Sequence, residues 1–198
     1  MASRSYTMVN RELAKRRTRE AILDAAAELF APAWYDEVTL ADVAARAGVS
    51  QQTVVNHFGS KAQLYLTGLE ERYVPIVTEL RSRAVPGDVA SVVDAVMEDY
   101  EVSGDGTVRN AALADRVPEM RQVIEGGRVF HRAFVERVFA PQLDGVALAA
   151  RERTVNLLVT VLDVHSWKLL RRDQGLDRDR TAEHLRMLVQ AVLDTVAT

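Results

Sequence analysis

The segment from Thr39 to Lys61, TLADVAARAGVSQQTVVNHFGSK, constrains this chain more than any other, because it packs three helix starts and two glycine breaks into one short run. Thr39 and Asp42 form a Thr-x-x-Asp start signal, and Leu40, Val43, Ala44 and Ala47 then recur at three- and four-residue spacing. That spacing predicts a first amphipathic helix. Gly48 follows the last periodic residue, where a left-handed backbone ends a helix and reverses the chain. Ser50 is placed to cap a second helix over Gln51 to Phe58, with Val54 and Phe58 on its inner stripe. Gly59 and Ser60 break that helix, and Ser60 with Gln63 forms a capping box that opens a third helix near Lys61.

Gln51, Gln52, Thr53, Val55, Asn56 and His57 share the outer surface of the second helix. These are mostly hydrogen-bonding side chains on a short helix reached through a tight turn, the way small proteins present a helix to the major groove of DNA. The amides of Gln51, Gln52 and Asn56 suit adenine edges or phosphates, His57 suits a phosphate, and Val55 suits a thymine methyl. Thr39, Ser50 and Ser60 also have a purely structural role as helix caps.

Residues 17 to 65, from RTREAILDAAAELF through AGVSQQTVVNHFGSKAQLY, resemble the DNA-binding domain of the TetR family of dimeric, all-helical bacterial transcription regulators. The likeness rests on a first helix ending in Leu29 and Phe30, the Thr39 start, the Ala-Gly-Val-Ser turn at 47 to 50, and the Phe58, Ser60, Lys61 exit. Three positions depart from the usual pattern. Gln52 and Trp34 stand where glycine is frequent, and Val55 replaces a tyrosine that often touches phosphate, so that contact does not carry over. The resemblance implies that Thr53 and Lys61 hold the DNA backbone and that Thr39 anchors the amino end of its helix to a phosphate.

The net charge of −3 is unpromising for a nucleic-acid binder until its distribution is considered. Up to residue 19, Arg4, Arg11, Lys15, Arg16, Arg17 and Arg19 face one acid, Glu12, leaving an excess of five positive charges. We expect residues 1–16 to be a flexible basic arm in which Lys15, Arg16 and Arg17 neutralise phosphates, releasing counterions so that affinity falls with salt. A solvated tail that keeps the protein soluble is the competing reading.

Beyond Lys61 the sequence predicts a succession of helices and no sustained strand alternation, hence an all-α chain. Ala62 to Arg72 continues the third helix, and Pro75 marks a bend or a new start, a candidate hinge between parts. Pro86-Gly87 and the cluster Ser103-Gly104-Asp105-Gly106 predict turns that bracket a helix from about Asp88 to Glu101, with Val89, Val92, Val93, Val96, Met97 and Tyr100 on its apolar side. Pro118 and Gly126-Gly127 punctuate the middle. A further helix over about Arg128 to Phe139 carries Val129, Phe130, Ala133, Phe134 and Val138. Thr154 to Leu170 is apolar on nearly every side, which a helix tolerates only when covered from two directions. Leu185, Leu188, Val189, Val192, Leu193 and Val196 form a last stripe.

The resemblance implies that helices over about 151 to 171 and 179 to 196 pair with their counterparts in a homodimer, through Leu157, Val161, Leu185, Leu188, Val189, Val192, Leu193 and Val196; an internal core is the alternative. It also implies a head at 17–65, and a body at 66–198 that dimerises and holds a small-molecule effector. Met97, Tyr100, Phe130, His131, Phe134, His165 and Trp167 are the candidate pocket residues, each equally suited to core packing. The mechanism implied is two-state: the effector favours a form whose heads are misspaced for the operator, and DNA is released. Repression at a palindromic operator is the family's usual outcome.

Other classes find little support. There is no cysteine, so disulfides, thiolate metal sites and cysteine nucleophiles are excluded. Glu-x-x-His metal signatures, Gly-x-Ser-x-Gly elbows and phosphate-binding glycine loops do not occur, and Glu183-His184, being adjacent, diverge on a helix. We therefore expect no enzyme activity, cofactor or metal. No apolar signal segment or membrane-length run occurs, which leads us to expect a cytoplasmic protein without membrane partners. The alternative is a helical protein-binding adaptor that has lost DNA affinity, suggested by Gln52 and Val55.

Overall fold

The computed structural model describes residues 2–196, with side chains from Asn10 onward. Arg4 of the basic segment lies outside the described side chains. The chain divides into two compact units, residues 1–74 and 75–198. Among the described residues there is no strand.

The first unit holds α1 (Ala2–Phe30), α2 (Leu40–Ala47), α3 (Gln51–Phe58) and α4 (Lys61–Gly68), followed by a π turn over Leu69–Tyr73. Its core is Ile22, Leu23, Ala25 and Ala26 of α1, Val43 and Ala44 of α2, Val54 and Phe58 of α3, Leu64 of α4, and Val38. Each inner stripe contributes, and the crossing helices bury one another. The basic segment expected to be a flexible arm is instead helical, the direct continuation of α1 towards the amino terminus. Glu12, Leu13, Ala14, Lys15 and Arg16 are strong helix formers, and a helix already nucleated over 17–30 propagates through them cheaply. Tyr65, at the end of the expected head, is buried as well.

The second unit begins with α5 (Val74–Ser82), α6 (Val89–Leu113) and α7 (Pro118–Val138). A short 3-10 turn over Ala140–Leu143 leads to α8 (Leu148–Val161), α9 (Val164–Lys168), a second π turn over Leu169–Asp173, and α10 (Arg178–Asp194). α6 packs against α7, α9 and α10 and is the centre of the unit. Its Val92, Val93, Val96, Met97 and Tyr100 are buried, as their spacing indicates. No helix among the described residues is long and apolar enough to cross a membrane.

α5 starts at Val74 with Pro75 in its first turn, after a π turn in which the Val74 amide reaches Leu69 O. Three sequence expectations fail here for tertiary reasons. The Ser103-Gly104-Asp105-Gly106 cluster is no turn but lies inside α6. Gly104 is there because the Trp167 ring fills the space of its side chain: an added Cβ would sit 2.4 Å from Trp167 Cζ3. Likewise α7 starts ten residues early, with Pro118 in its first turn, and runs through Gly126 and Gly127. Its buried face is therefore Met120, His131, Phe134, Val135 and Val138, whereas Val129, Phe130 and Ala133 are exposed. Finally, the apolar run from Thr154 to Leu170 is two helices. Asp163 interrupts it by capping α9, its Oδ1 accepting from the His165 amide at 2.8 Å.

Candidate nucleic-acid interface

Both turns that aim α3 are built by short polar side chains. Thr39 accepts from the Asp42 amide (3.2 Å), and its own amide and hydroxyl donate to the Asp42 carboxylate at 2.8 and 2.6 Å, closing a complete capping box. Those bonds hold the Asp42 carboxyl below the ordinary carboxylate range. Gly48 then takes φ 68° and ψ 32°, and its amide satisfies the last carbonyls of α2. Only glycine enters that region without cost. Two residues later Ser50 Oγ accepts from the Thr53 amide at 3.1 Å. Its partner on the surface is the Thr53 hydroxyl, 2.8 Å away, so Thr53 is engaged in the cap as well as turned outward.

With Val54 and Phe58 buried, the opposite face of α3 is available. Gln51, Gln52 and Asn56 are exposed, while Thr53, Val55 and His57 are half-buried along its flanks. One interaction was invisible in the sequence: Gln52 Nε2 donates to Asn56 Oδ1 at 2.9 Å, one helical turn away. In this pairing Asn56 presents its amide donor outward and Gln52 its carbonyl acceptor, an array that matches the acceptor and donor of an adenine edge.

Lys61, the first residue of α4, follows the Ser60 cap, whose Oγ accepts from the Gln63 amide at 3.1 Å. The reciprocal half of that capping box is not formed, because the Gln63 side chain turns to Thr67 (3.5 Å) instead. Lys61 Nζ lies 4.3 Å from the centroid of Tyr35, which is itself packed edge-on against Tyr65. Partial burial lowers its pKa from the usual lysine value, with Asp36 acting in the opposite sense. Nothing in the spacing pointed to Tyr35. The useful sign was two aromatics, Trp34 and Tyr35, in a loop beside a capped helix start.

The basic surface is smaller than the sequence count suggests. Lys15, Arg16 and Arg17 are exposed on α1. Arg19 is not available, since it binds both oxygens of Glu71 (2.7 and 2.5 Å) and lies over the Phe58 ring. Its hydrogen bonds to Glu71 hold that arginine's pKa up and that carboxyl's down. Arg72 makes the matching tie back to Glu20 and Asp24 of α1. These pairs tie the π turn after α4 to α1.

In the second unit the candidate pocket residues do not share one wall. Met97, Tyr100, Phe134, His131 and Trp167 are buried, but Phe130 is 39% exposed and His165 turns outward to bond Asp163. Two surface depressions, one beside Arg83, Asp88 and Asp94 and one beside Asp144, Gly145 and Arg153, include none of the seven. The stripe assigned to a partner also divides. Leu185, Val189 and Leu193 belong to the unit's own core, with Val161, Val192 and Val196 packed on its edge. Leu157 and Leu188 remain exposed, at 42% and 46%, beside the unforeseen Met187 at 62%. A stripe wide enough to cover one's own core leaves only its margins for a partner. Sequence reasoning also missed Arg81 and Asp99, a fully buried ion pair joined at 2.7 Å.

The sequence model for bacterial regulatory proteins of the tetR family matches residues 22–67, the segment whose geometry is described above. The HTH-type transcriptional regulator AlkX of Mycobacterium tuberculosis is 27% identical over 150 residues, covering 71% of this chain and 68% of that protein. The HTH-type transcriptional activator FasR of Mycolicibacterium smegmatis is 28% identical over 172 residues, 83% of this chain and 78% of that one. Among solved structures, a transcriptional regulator from Rhodococcus sp. Rha1 shares the fold with a TM-score of 0.64 at 21% identity, over 93% of this chain and 98% of its own. A capped, outward-facing α3 on an all-helical chain thus coincides with the segment that matches the tetR family, and over most of its length the chain is similar to DNA-binding transcriptional regulators.

Proposed function

We propose that the chain acts as a homodimeric repressor of a palindromic operator and that a small-molecule effector bound in residues 66–198 releases it. The reading rests on one observation above others: Gln51, Gln52 and Asn56 stand exposed on a helix whose other face is wholly committed to the head core. Residues 17–65 are the DNA-binding head. Gln51, Gln52 and Asn56 meet base edges and Val55 a thymine methyl, while Thr39, Thr53, His57 and Lys61 hold phosphates and set register. Lys15, Arg16 and Arg17 add salt-sensitive contacts to the backbone. Exposed Leu157, Met187 and Leu188 on α8 and α10 support a two-fold contact.

Selection of bound sequences from random duplex DNA tests the whole reading. The expected result is a palindrome whose half-sites lie about one helical turn apart, roughly 34–36 Å. Recovery of no duplex, with mobility unchanged at low and high salt, would instead identify a protein-binding adaptor.

A further inference from the structure

Cations in the first unit meet two different fates. Arg19 is taken up by both oxygens of Glu71, Arg72 by Glu20 and Asp24, and Arg46 by Glu28. Lys61 forms no ion pair among the described residues, and its Nζ stands instead 4.3 Å from the centroid of the Tyr35 ring, with Asp36 acting on it only through space. The ring is itself held. Tyr35 stacks on Phe30, with centroids 5.9 Å apart and planes 17° apart, and meets the edge of Tyr65 at 5.1 Å, while Phe30 and Tyr65 close the triangle at 4.8 Å. Tyr65 is only 8% exposed, so this aromatic group is anchored in the head.

The position of the lysine adds to its isolation. Lys61 is the first residue of α4, where the helix dipole is positive and an acid is favoured, so a cation there works against the helix. Helix stability does not account for it. A carboxylate beside Lys61 would cancel its charge, whereas the face of an aromatic ring attracts the ammonium and leaves the charge whole. The result is a full positive charge on a restrained stem, beside the opening turn of a helix whose amides point outward. A phosphate answers both.

We propose that Tyr35, in the loop between α1 and α2, is a positioning residue for DNA, its ring seating the Lys61 ammonium for a phosphate of the duplex without neutralising it. This deepens the DNA-binding reading above and rests on it. The gain comes from restraint in the free protein, because freedom of the lysine stem is given up before the phosphate arrives. It is blind to base sequence.

The test measures affinity of the full chain, by fluorescence anisotropy, on the selected operator and on a scrambled duplex. Tyr35→Phe keeps the ring and should bind within about twofold of wild type, whereas Tyr35→Leu keeps apolar bulk without a π face and should lose about fivefold on both duplexes. In a Lys61→Met background the same leucine should cost nothing further. A tyrosine that merely supports the fold would cost as much in that background, and this outcome overturns the proposal. So does Tyr35→Leu that binds like wild type, or Tyr35→Phe that binds like Tyr35→Leu. Should the variants fail to fold, wild-type protein still decides, because the chain has only three lysines, Lys15, Lys61 and Lys168. In 13C-lysine-labelled protein the Tyr35 ring current should place the Lys61 ε-methylene protons upfield of those of Lys15, and added duplex should move them. An unshifted Lys61 signal, or one indifferent to duplex, overturns the seat. Wild-type protein that binds neither duplex sinks the regulator reading itself, whereas wild-type binding with an unaltered Tyr35→Leu sinks the role of Tyr35 alone.

Discussion

A Cβ added to Gly104 would fall 2.4 Å from Cζ3 of Trp167, a separation that no packed side chain tolerates. The indole is fully buried, its Nε1 donates to Glu101 at 3.2 Å and Arg172 covers it from outside, so it has no room to retreat. Gly104→Ala should therefore destabilise the protein by about 1–3 kcal/mol, despite the better helix propensity of alanine. Urea unfolding monitored by circular dichroism measures it. An unchanged or raised midpoint would contradict the packing described here.

The Arg81–Asp99 pair is buried on both sides. Removing one partner strands a charge, so Arg81→Met should cost about 3–5 kcal/mol. The double variant Arg81→Met with Asp99→Leu strands none and should recover most of that loss. Additive losses in a double-mutant cycle would show that the two groups are not coupled.

His131 makes stability depend on pH in a defined window. Its native pKa lies below the usual value, so below about pH 6.5 the unfolded chain binds a proton that the native state refuses. Stability should fall as pH drops from about 6.5 through the native value and then level off with respect to this group. His131→Gln should flatten that slope. Asp42, Glu71 and Asp105, whose carboxyls are held down by hydrogen bonds, add their own loss only at lower pH, below about 4.

DNA contacts should separate into two kinds. Lys61→Ala should weaken binding on all sequences and reduce the log-log salt slope by about 0.9. Asn56→Ala removes a base-edge group and breaks the bond from Gln52, so it should cost about 1–3 kcal/mol on the matched operator and little on scrambled duplex. Equal losses on both duplexes would place Asn56 on the phosphate backbone.

Leu157 and Leu188 mark the expected dimer contact. Leu157→Asp combined with Leu188→Asp should shift sedimentation from dimer to monomer with the fold intact, because both positions are exposed in the chain itself. Leu185→Asp should unfold the second unit instead, since Leu185 is 1% exposed within its own core. A dimer unaffected by the first pair would move the interface elsewhere.

The head was readable from sequence because its information is local. Caps act over three residues, as with Thr39 and Asp42 or Ser50 and Thr53, and Gly48 answers a single backbone angle. Periodicity then separates Val54 and Phe58 from the outward residues without reference to any distant part of the chain. The second unit hid its main features because they depend on partners far along the sequence. Gly104 reads as a turn until Trp167 is known to occupy its side-chain volume, and the stripe at Leu185, Val189 and Leu193 does not say whether its cover is α6 or a second copy. Arg81 and Asp99 meet only because two helices cross, and Arg19 leaves the basic surface only because Glu71 comes to it. Short-range hydrogen bonds and backbone angles are written in neighbouring residues; which apolar face covers which, and which charges are consumed in doing so, is settled by the packing of elements that the chain order does not place side by side.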